Sequence, residues 1–363
     1  GAGLTWGELD AATQKHGLAV TGGRVTHTGI AGLTIGSGSG WLERKHGMTS
    51  ASLLSAEVVT ADGRVVRASA DANRELLWGL RGGGGNFGVV TEFEFQLHPL
   101  GPTVFGGQIL HPRSAARELM RFYRDFIAQT PDEVAGGFAL LTAPATDFVP
   151  TESRGRPACG LFIVYAGDPG RGEKVFRPLL DWGQPLVSRV GPMSYTAVQS
   201  MSDPMHPWGI HNYSKVGYLP ELADEAAEAF FAQADRMRSP FSQLLLCPLG
   251  GEVARMDRGE MALNMPEARW VSFVFASWWD PQGREEHIAW ARGVMQAMRP
   301  WSADSAPPNF IGADEGPDRL RSFYGPEKFK RLVALKDEYD PANIFALNQN
   351  IPPSGSARGG NGR

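Results

Sequence analysis

The feature that most constrains this chain is a glycine-dense stretch near its start, over residues 22–40. Glycine loses much conformational freedom on folding, so such a density needs a cause. One cause is a phosphate or flat ring lying against bare backbone, because successive N–H groups can then approach a ligand closely. Another is a series of tight turns between β elements. The stretch alone leaves the two interpretations evenly balanced.

A second glycine cluster occupies residues 82–85. It lies between a predicted short helix over 74–80 and a predicted strand over 90–97, in which apolar and polar residues alternate as in a half-buried strand. A flexible link is one interpretation. The close flanking by a helix and a regular strand favours a turn at which the backbone meets a ligand.

Two common nucleotide motifs are not met. After Gly36 and Gly38, the dinucleotide fingerprint requires a further glycine where this chain has Trp41. The phosphate-loop pattern also fails, because no Gly-Lys-Ser/Thr follows the glycines. A nicotinamide-dependent dehydrogenase is therefore disfavoured.

Composition excludes several other classes of protein. The 363 residues carry a formal net charge of -4 with the basic residues spread along the chain, so a nucleic-acid partner is not expected. No run of about 18 apolar residues exists, so no membrane partner is expected either. Cys159 and Cys247 lie in apolar, strand-like runs typical of buried thiols, and neither a disulfide framework nor a metal site is implied.

The predicted elements indicate an α+β fold. An Asp62-Gly63 turn joins strands over 53–60 and 64–69 in a hairpin. Helices are predicted over 6–16, 114–128, 221–237, 284–298 and 326–338, and strands over 159–165, 243–247 and 270–278. Strands with helices on one side indicate an antiparallel sheet covered by helices. Trp278 and Trp290 are expected in the core rather than in an aromatic cage.

Three separated runs, in the right order, resemble the berberine-bridge-enzyme-like FAD-linked oxidases. They are residues 22–33 (GGRVTHTGIAGL), residues 78–93, which begin WGLR and end GVVTEF, and residues 324–351, which include YDPANIF and NQNI. The resemblance implies a PCMH-type FAD-binding domain, similar to that of vanillyl-alcohol oxidase, over 1–101. It further implies a substrate domain over 102–305 and a segment over 306–353 that returns to the FAD domain. The tail over 354–363 is expected to be disordered.

The resemblance also implies which residues hold FAD. The cofactor would lie along the loop from Val25 to Gly40, with support from the backbone near Gly88 and from the C-terminal segment, while the sheet of the substrate domain roofs the isoalloxazine. The implied cofactor-binding residues are Val25, Thr26, Thr28, Gly29, Gly32, Gly36, Ser37, Gly38, Gly40, Gly88, Val90, Asn348 and Asn350.

The chain departs from the family pattern at several positions. The family's flavin-bearing histidine belongs to a loop that would precede Gly1, so the chain is expected to lack an N-terminal segment. Val25 matches a cysteine that some members link to flavin, which excludes a second covalent link here. Pro307 matches a tyrosine that often serves as the base, and Ala51 stands where an aspartate is usual.

Substitutes for the missing base are predicted from the strand around Tyr213. Tyr213 and Lys215 alternate along one strand and share a face, which the resemblance turns toward the flavin; a nearby Lys215 would lower the pKa of Tyr213. The alternative is an ordinary strand with an exposed lysine and a half-buried tyrosine. Asn309 and Tyr324 are weaker catalytic candidates, because asparagine is not a base and Tyr324 alternatively packs the start of its helix.

Together these features predict an FAD-dependent oxidoreductase. It would oxidise a small-molecule alcohol, sugar or secondary metabolite by hydride transfer to flavin N5, with O2 as acceptor. The alternative is a truncated or vestigial module that folds without holding flavin. A cytoplasmic location is expected, with secretion left open by the N-terminal segment expected to precede Gly1.

Overall fold

The structure, a computed structural model, describes residues 1–303, 305–312, 314–347 and 349–355. Its strands are β1 (Leu18–Ala19), β2 (Leu53–Val59), β3 (Val65–Ala68), β4 (Val89–Phe95), β5 (His98–Pro99), β6 (Thr103–Pro112), β7 (Val134–Thr142), β8 (Pro157–Tyr165), β9 (Val187–Ser194), β10 (His211–Leu219), β11 (Gln243–Pro248) and β12 (Trp270–Trp278).

The helices alternate with these strands along the chain. They are α1 (Trp6–Thr13), α2 (Ile30–Gly36), α3 (Glu43–His46), α4 (Arg74–Leu80), α5 (Ala116–Ile127), α6 (Pro169–Leu180), α7 (Tyr195–Gln199), α8 (Asp224–Ala234), α9 (Glu252–Arg255), α10 (Arg284–Met298) and α11 (Pro317–Tyr339). None of those within the described residues is long and apolar enough to cross a membrane.

The centre of the fold is a seven-stranded antiparallel sheet with the order β10-β12-β11-β7-β8-β6-β9. Helices α5, α6, α8 and α10 pack on one face through a large apolar core that contains Tyr123, Phe138, Phe230 and Trp290. The β7 strand is buried along almost its whole length, because both of its faces are covered. The predicted α+β fold with a helix-covered antiparallel sheet is confirmed.

The first hundred residues form a smaller layer. The β3-β2-β4 sheet contains the predicted hairpin, in which Val59 pairs with Val65 across the Asp62-Gly63 turn. The C-terminal helix α11 packs on α4, with Leu332 and Leu335 in the same apolar core as Leu76 and Leu77. The prediction that the C-terminal segment returns to the first domain is confirmed.

Several local predictions need correction. The glycine-dense stretch is not a continuous loop, since it contains α2. The helix predicted over 326–338 is the second half of α11, which begins at Pro317; Gly325 adopts φ 69° and ψ 168° and breaks α11 at that point. Cys159, Cys247, Trp278 and Trp290 are buried as predicted. The predictions for Asn348 and for residues 356–363 lie outside the described residues.

Candidate active site

A cavity of about 1260 Å³ lies between the first domain and the open face of the seven-stranded sheet, which is the face that α5, α6, α8 and α10 do not cover. It exceeds the roughly 300–1,000 Å³ of most small-molecule sites, so it has room for a dinucleotide and a substrate together. The two glycine clusters meet at its wall, where the Gly84 amide donates to the Ile35 carbonyl at 2.9 Å. Both clusters therefore line the same cavity, and the ligand interpretation of each stays a prediction.

The glycine wall presents bare backbone to the cavity. Gly32 lines it, and a Cβ atom built at Gly32 would meet no atom within 4 Å. A Cβ at Gly85 would have only Ile35 as a neighbour, at 3.8 Å. The indole N–H of Trp41, which also lines the cavity, is buried and has no partner in the described part of the chain. Open space over glycine backbone beside a free donor fits a flat, polar nucleotide.

An arginine closes the glycine-dense stretch on itself. Arg24 donates to the Ser39 hydroxyl at 2.9 Å and to the Gly40 carbonyl at 3.2 Å, and it pairs with Glu43 at 2.8 Å. Its guanidinium lies over the Trp41 ring, 5.0 Å from the centroid. Burial alone would lower the pKa of Arg24, but the adjacent Glu43 outweighs it and raises the pKa. The Arg24–Glu43 pair therefore holds the two ends of the loop together.

The opposite wall is the open face of the sheet. Arg189, Gln108, Phe162 and Gly137 are register partners on β9, β6, β8 and β7, and all four line the cavity. Phe273 and Phe275 of β12 extend this wall toward the other edge. The wall is thus largely apolar and aromatic, with a few polar groups at fixed positions, as in most binding sites for small organic molecules.

The segment 200–206 joins the two walls. Asp203 accepts from the Thr26 amide at 2.9 Å and from its hydroxyl at 2.5 Å, and the His27 ring contacts the His206 carbonyl at 2.7 Å. The His206 ring packs edge-on against Phe275. Burial, with a smaller effect of His27, lowers the pKa of His206 to about 4. His206 is therefore a neutral imidazole on the cavity wall at neutral pH.

The C-terminal segment completes the site through a buried ion pair. Lys336 and Asp340 are both fully buried and 2.6 Å apart. Lys336 also donates to the carbonyls of Asn86 at 2.9 Å and Phe345 at 3.0 Å. Asn86 in turn accepts from the Ile351 amide at 2.9 Å. This network ties the second glycine cluster to the segment that brings Phe345 to the cavity.

The implied cofactor residues divide into three groups. Val25, Thr28, Gly32 and Ser37 line the cavity. Several others shape its wall without lining it: Thr26 is held by Asp203, Gly29 precedes α2, Gly36 packs against Asn309, Gly38 against Thr49 and Gly40 against Gly22.

Gly88, Val90 and Asn350 also lie outside the cavity lining. Gly88 abuts the Val59 carbonyl and Val90 pairs with Val58 of β2, so both contribute to the β2–β4 pairing rather than to the cavity. Asn350 does not line the cavity, whereas its neighbour Gln349 does. The backbone of the second cluster that reaches the cavity is at Gly84, Gly85 and Asn86, and support of the cofactor near Gly88 stays a prediction.

The prediction that Tyr213 and Lys215 face the cofactor needs correction. Both point from β10 toward α10 and the loop before α11, away from the cavity. The Tyr213 hydroxyl donates to Asp314 at 2.7 Å and accepts from Arg292 of α10, and Lys215 is buried against Glu315 at 2.6 Å. The strand alternation places Asn212, not Tyr213, on the cavity face.

The other two catalytic candidates have different positions. Asn309 lines the cavity, where its amide donates to the Leu33 carbonyl at 3.1 Å and to the Ser37 hydroxyl at 3.3 Å. It is a positioning group for the end of α2. Tyr324 is buried and donates to the Gly82 carbonyl at 2.7 Å. Burial raises its pKa, and Tyr324 is the last residue of the first half of α11, so it packs the end of that half rather than the helix start that the alternative interpretation expected.

Several lining residues were not predicted. Arg24 lies within the first cluster, Trp41 directly follows it and Asn86 directly follows the second, so their positions next to glycines were a sequence signal for the site. Gln108, Arg189 and His206 had no local signal, because strand register and a loop contact bring them to the cavity. Among the described residues, no group of His, Cys, Asp or Glu side chains is arranged to hold a metal ion.

Comparison with known families and proteins agrees with this geometry. Residues 1–69 match the family described as FAD binding domain, and residues 308–352 match the family described as berberine and berberine like. The first match covers the first glycine cluster. The second covers Asn309, the Lys336–Asp340 pair and the segment that reaches the cavity.

Two curated proteins have sequences similar to this one over nearly its whole length. An FAD-linked oxidoreductase of Dictyostelium discoideum is 27% identical over 355 residues, which are 97% of this chain and 74% of that protein. The (R)-6-hydroxynicotine oxidase of Paenarthrobacter nicotinovorans is 27% identical over 371 residues, 98% of this chain and 77% of that oxidase.

Solved structures show the same fold. The 6-hydroxy-D-nicotine oxidase of Arthrobacter nicotinovorans superposes with a TM-score of 0.83 at 25% identity, over 97% of this chain and 77% of that one. The berberine bridge enzyme of Eschscholzia californica gives a TM-score of 0.79 at 19% identity, over 96% and 75%. With both family matches in place and FAD as the cofactor they imply, the chain belongs to the berberine-bridge-enzyme-like family of FAD-linked oxidoreductases.

Proposed function

We propose that this protein oxidises a small aromatic substrate at a carbon next to nitrogen or oxygen, and that dioxygen is the final acceptor. The observation that carries the proposal is a single cavity with a glycine backbone wall on one side and an aromatic sheet wall on the other. FAD bound at the glycine wall would supply a two-electron acceptor that takes hydride from the substrate carbon and passes the electrons to dioxygen. Overall the substrate loses two electrons and two protons, and dioxygen becomes hydrogen peroxide.

The cofactor would be held by the glycine wall. Val25, Thr28, Gly32 and Ser37 offer backbone and short polar side chains, and Gly84 and Gly85 offer further bare backbone. The Arg24–Glu43 pair fixes the loop, and Asn309 fixes the end of α2. Each group acts by holding the wall in one shape, which lowers the entropy lost when the ligand binds.

The proton-accepting groups decide which substrates suit the site. No aspartate, glutamate or tyrosine is among the described residues that line the cavity. Burial raises the pKa of the Cys247 thiol to about 11, so it stays protonated. Two imidazoles also line the cavity: His27, whose ring contacts the His206 carbonyl at 2.7 Å, and His206, whose neutral ring is a weak acceptor. This favours oxidation of an amine, whose nitrogen lone pair assists hydride loss, over oxidation of an alcohol that needs a strong base.

Similar proteins support this order of preference. The names of two similar proteins describe oxidation of 6-hydroxynicotine, which is a nitrogen compound. Another similar structure is a chitooligosaccharide oxidase, which keeps a sugar alcohol as the second candidate. The aromatic sheet wall, with Phe162, Phe273 and Phe275, favours the first.

The test combines cofactor content with substrate reduction. The full chain is purified with added FAD, and matched panels of arylalkyl amines and arylalkyl alcohols, which carry a C–H next to nitrogen or oxygen, are tested for anaerobic flavin bleaching and, in air, for hydrogen peroxide. Amines are expected to react faster, and His206→Asn is expected to alter the pH profile, while His16→Asn in the short exposed turn after α1 does not. A chain that takes up no FAD would instead support the non-catalytic module.

A further inference from the structure

The cavity contains one cation without a counter-charge. Arg189 lines the cavity on the edge strand β9, and its guanidinium makes no ion pair within the described residues. The other lining arginine, Arg24, is neutralised by Glu43 at 2.8 Å. Asp147, which directly precedes the cavity-lining Phe148, pairs with Arg154 at 3.7 Å.

The Arg189 side chain is oriented rather than loose. Its guanidinium lies 4.5 Å from the ring centroid of Phe148, which also lines the cavity. A guanidinium stacked on an aromatic face keeps its edge free, and that edge carries the N–H donors that match a carboxylate in a two-point contact. The exposed position at the sheet edge places these donors at the rim of the cavity.

The residues that pair with Arg189 across the sheet also line the cavity. Gln108 is the register partner of Arg189, Phe162 is the partner of Gln108, and Gly137 is the partner of Phe162. Adjacent strands lie about 4.8 Å apart, so the backbones of Arg189 and Phe162 are about 10 Å apart across the row. Gly191 lies two residues beyond Arg189 on β9, and a Cβ atom there would meet no atom within 4 Å, whereas the Cys247 thiol fills the space above Gly137.

The charge of the cavity selects against one class of substrate. Because no carboxylate lines it in the described part of the chain, a cationic substrate would meet Arg189 with no compensating acid. An anionic group would be attracted, and it would find the side chains of Arg189 and Gln108 side by side.

We propose that the substrate carries a carboxylate, which binds Arg189 and Gln108 at the rim while its planar body lies over Phe162. This inference rests on the proposed function, and it deepens that function by naming the substrate class. It makes Arg189 a specificity-determining residue at the opposite side of the cavity from the glycine wall.

A matched pair of ligands tests this directly. Phenylbutyrate and its uncharged amide, phenylbutyramide, have the same ring and chain and differ in charge. Calorimetric titration of each into the FAD-loaded protein is expected to give about tenfold tighter binding of the carboxylate, which is about 1.4 kcal/mol. The preference should shrink as salt is added, because screening weakens an exposed charge pair.

Two variants assign the preference to its residue. Arg189→Gln should bind the two ligands alike, whereas Arg284→Gln, which removes the same charge from the exposed start of α10, should keep the wild-type preference. Equal binding of both ligands by the wild type, or a preference that survives Arg189→Gln, would overturn the proposal. Failure of the oxidase function would appear separately, as no flavin reduction by any substrate, while the calorimetric preference would still be measured.

Discussion

The buried Lys336 network holds the C-terminal segment against the second glycine cluster, and Lys336→Met should reveal how much that network contributes to the free energy of unfolding. The substitution removes three hydrogen bonds, to Asp340 at 2.6 Å and to the Asn86 and Phe345 carbonyls at 2.9 and 3.0 Å. It also leaves the fully buried Asp340 carboxylate without its cation. Breaking a buried pair in this way costs about 3–5 kcal/mol, a large part of the roughly 5–15 kcal/mol that stabilises a typical protein.

The assay is guanidinium unfolding followed by far-ultraviolet circular dichroism, with release of FAD measured in parallel. Glu75→Gln is the matched control, because its pair with Arg331 has a similar distance, 2.7 Å, but side chains that are 58% and 42% exposed. The control should lose less than about 1 kcal/mol. A loss for Lys336→Met as small as that of the control would refute the anchoring role.

The pH dependence of the same pair gives a second check. Burial alone would raise the pKa of Asp340, but Lys336 and the amides of Ile344 and Phe345 outweigh it and lower the pKa below its ordinary 3.8. A carboxyl whose pKa is lowered in the folded state stabilises the protein above its unfolded value and loses that contribution as the pH falls through the folded value. The stability gap between wild type and Lys336→Met should therefore narrow below pH 3.8.

Three further substitutions test other parts of the fold and site. Asp10 is buried, and that burial raises its pKa to about 7, so ionising this carboxyl destabilises the folded state increasingly as the pH rises from 3.8 to about 7. Asp10→Asn should therefore gain up to about 4 kcal/mol in unfolding free energy at about pH 8 and nothing at about pH 3. An equal gain at both pH values would contradict this. Glu43→Gln leaves Arg24 without its buried counter-charge, so it should lower the unfolding free energy by about 3 kcal/mol and also weaken FAD binding. The control Asp62→Asn, at the exposed pair with Arg64, should change neither quantity. Tyr324→Phe should lose about 1–3 kcal/mol, because the Gly82 carbonyl loses its buried donor, yet keep the turnover rate; a large fall in turnover would restore Tyr324 as a catalytic residue.

Much of the fold could be predicted because its signals are local. The Asp62-Gly63 turn specifies a hairpin. Helix α10 has the predicted bounds because periodic apolar residues mark it, and β12 because a run that is apolar on both faces marks it. The α2 helix was not predicted, because glycines at positions 32 and 36 hide its period. The first half of α11 was also missed, since the Gly325-Pro326 pair resembles a helix start and hides the segment before it.

The site was predicted in part for a physical reason. Bare backbone carries a sequence signal, so the glycine wall with Val25, Thr28 and Gly32 was found. The sheet wall depends on which face of each strand points inward, and a one-residue change of parity moves a side chain to the other face. Asn212 therefore lines the cavity where Tyr213 was expected, and Arg189 becomes a site residue only through its register with Gln108.

The central claim is that FAD lies against the glycine wall of this cavity, and a cofactor titration of one variant tests it most directly. Gly32→Leu projects a side chain into the open space where a Cβ meets no atom within 4 Å, and Gly293→Leu does the same on the exposed face of α10. Fluorescence titration should show one FAD per chain for the wild type and for Gly293→Leu, and at least about a tenfold loss of affinity for Gly32→Leu with unchanged circular dichroism. Unaltered FAD binding by a correctly folded Gly32→Leu protein would contradict the assignment of the cofactor to this wall.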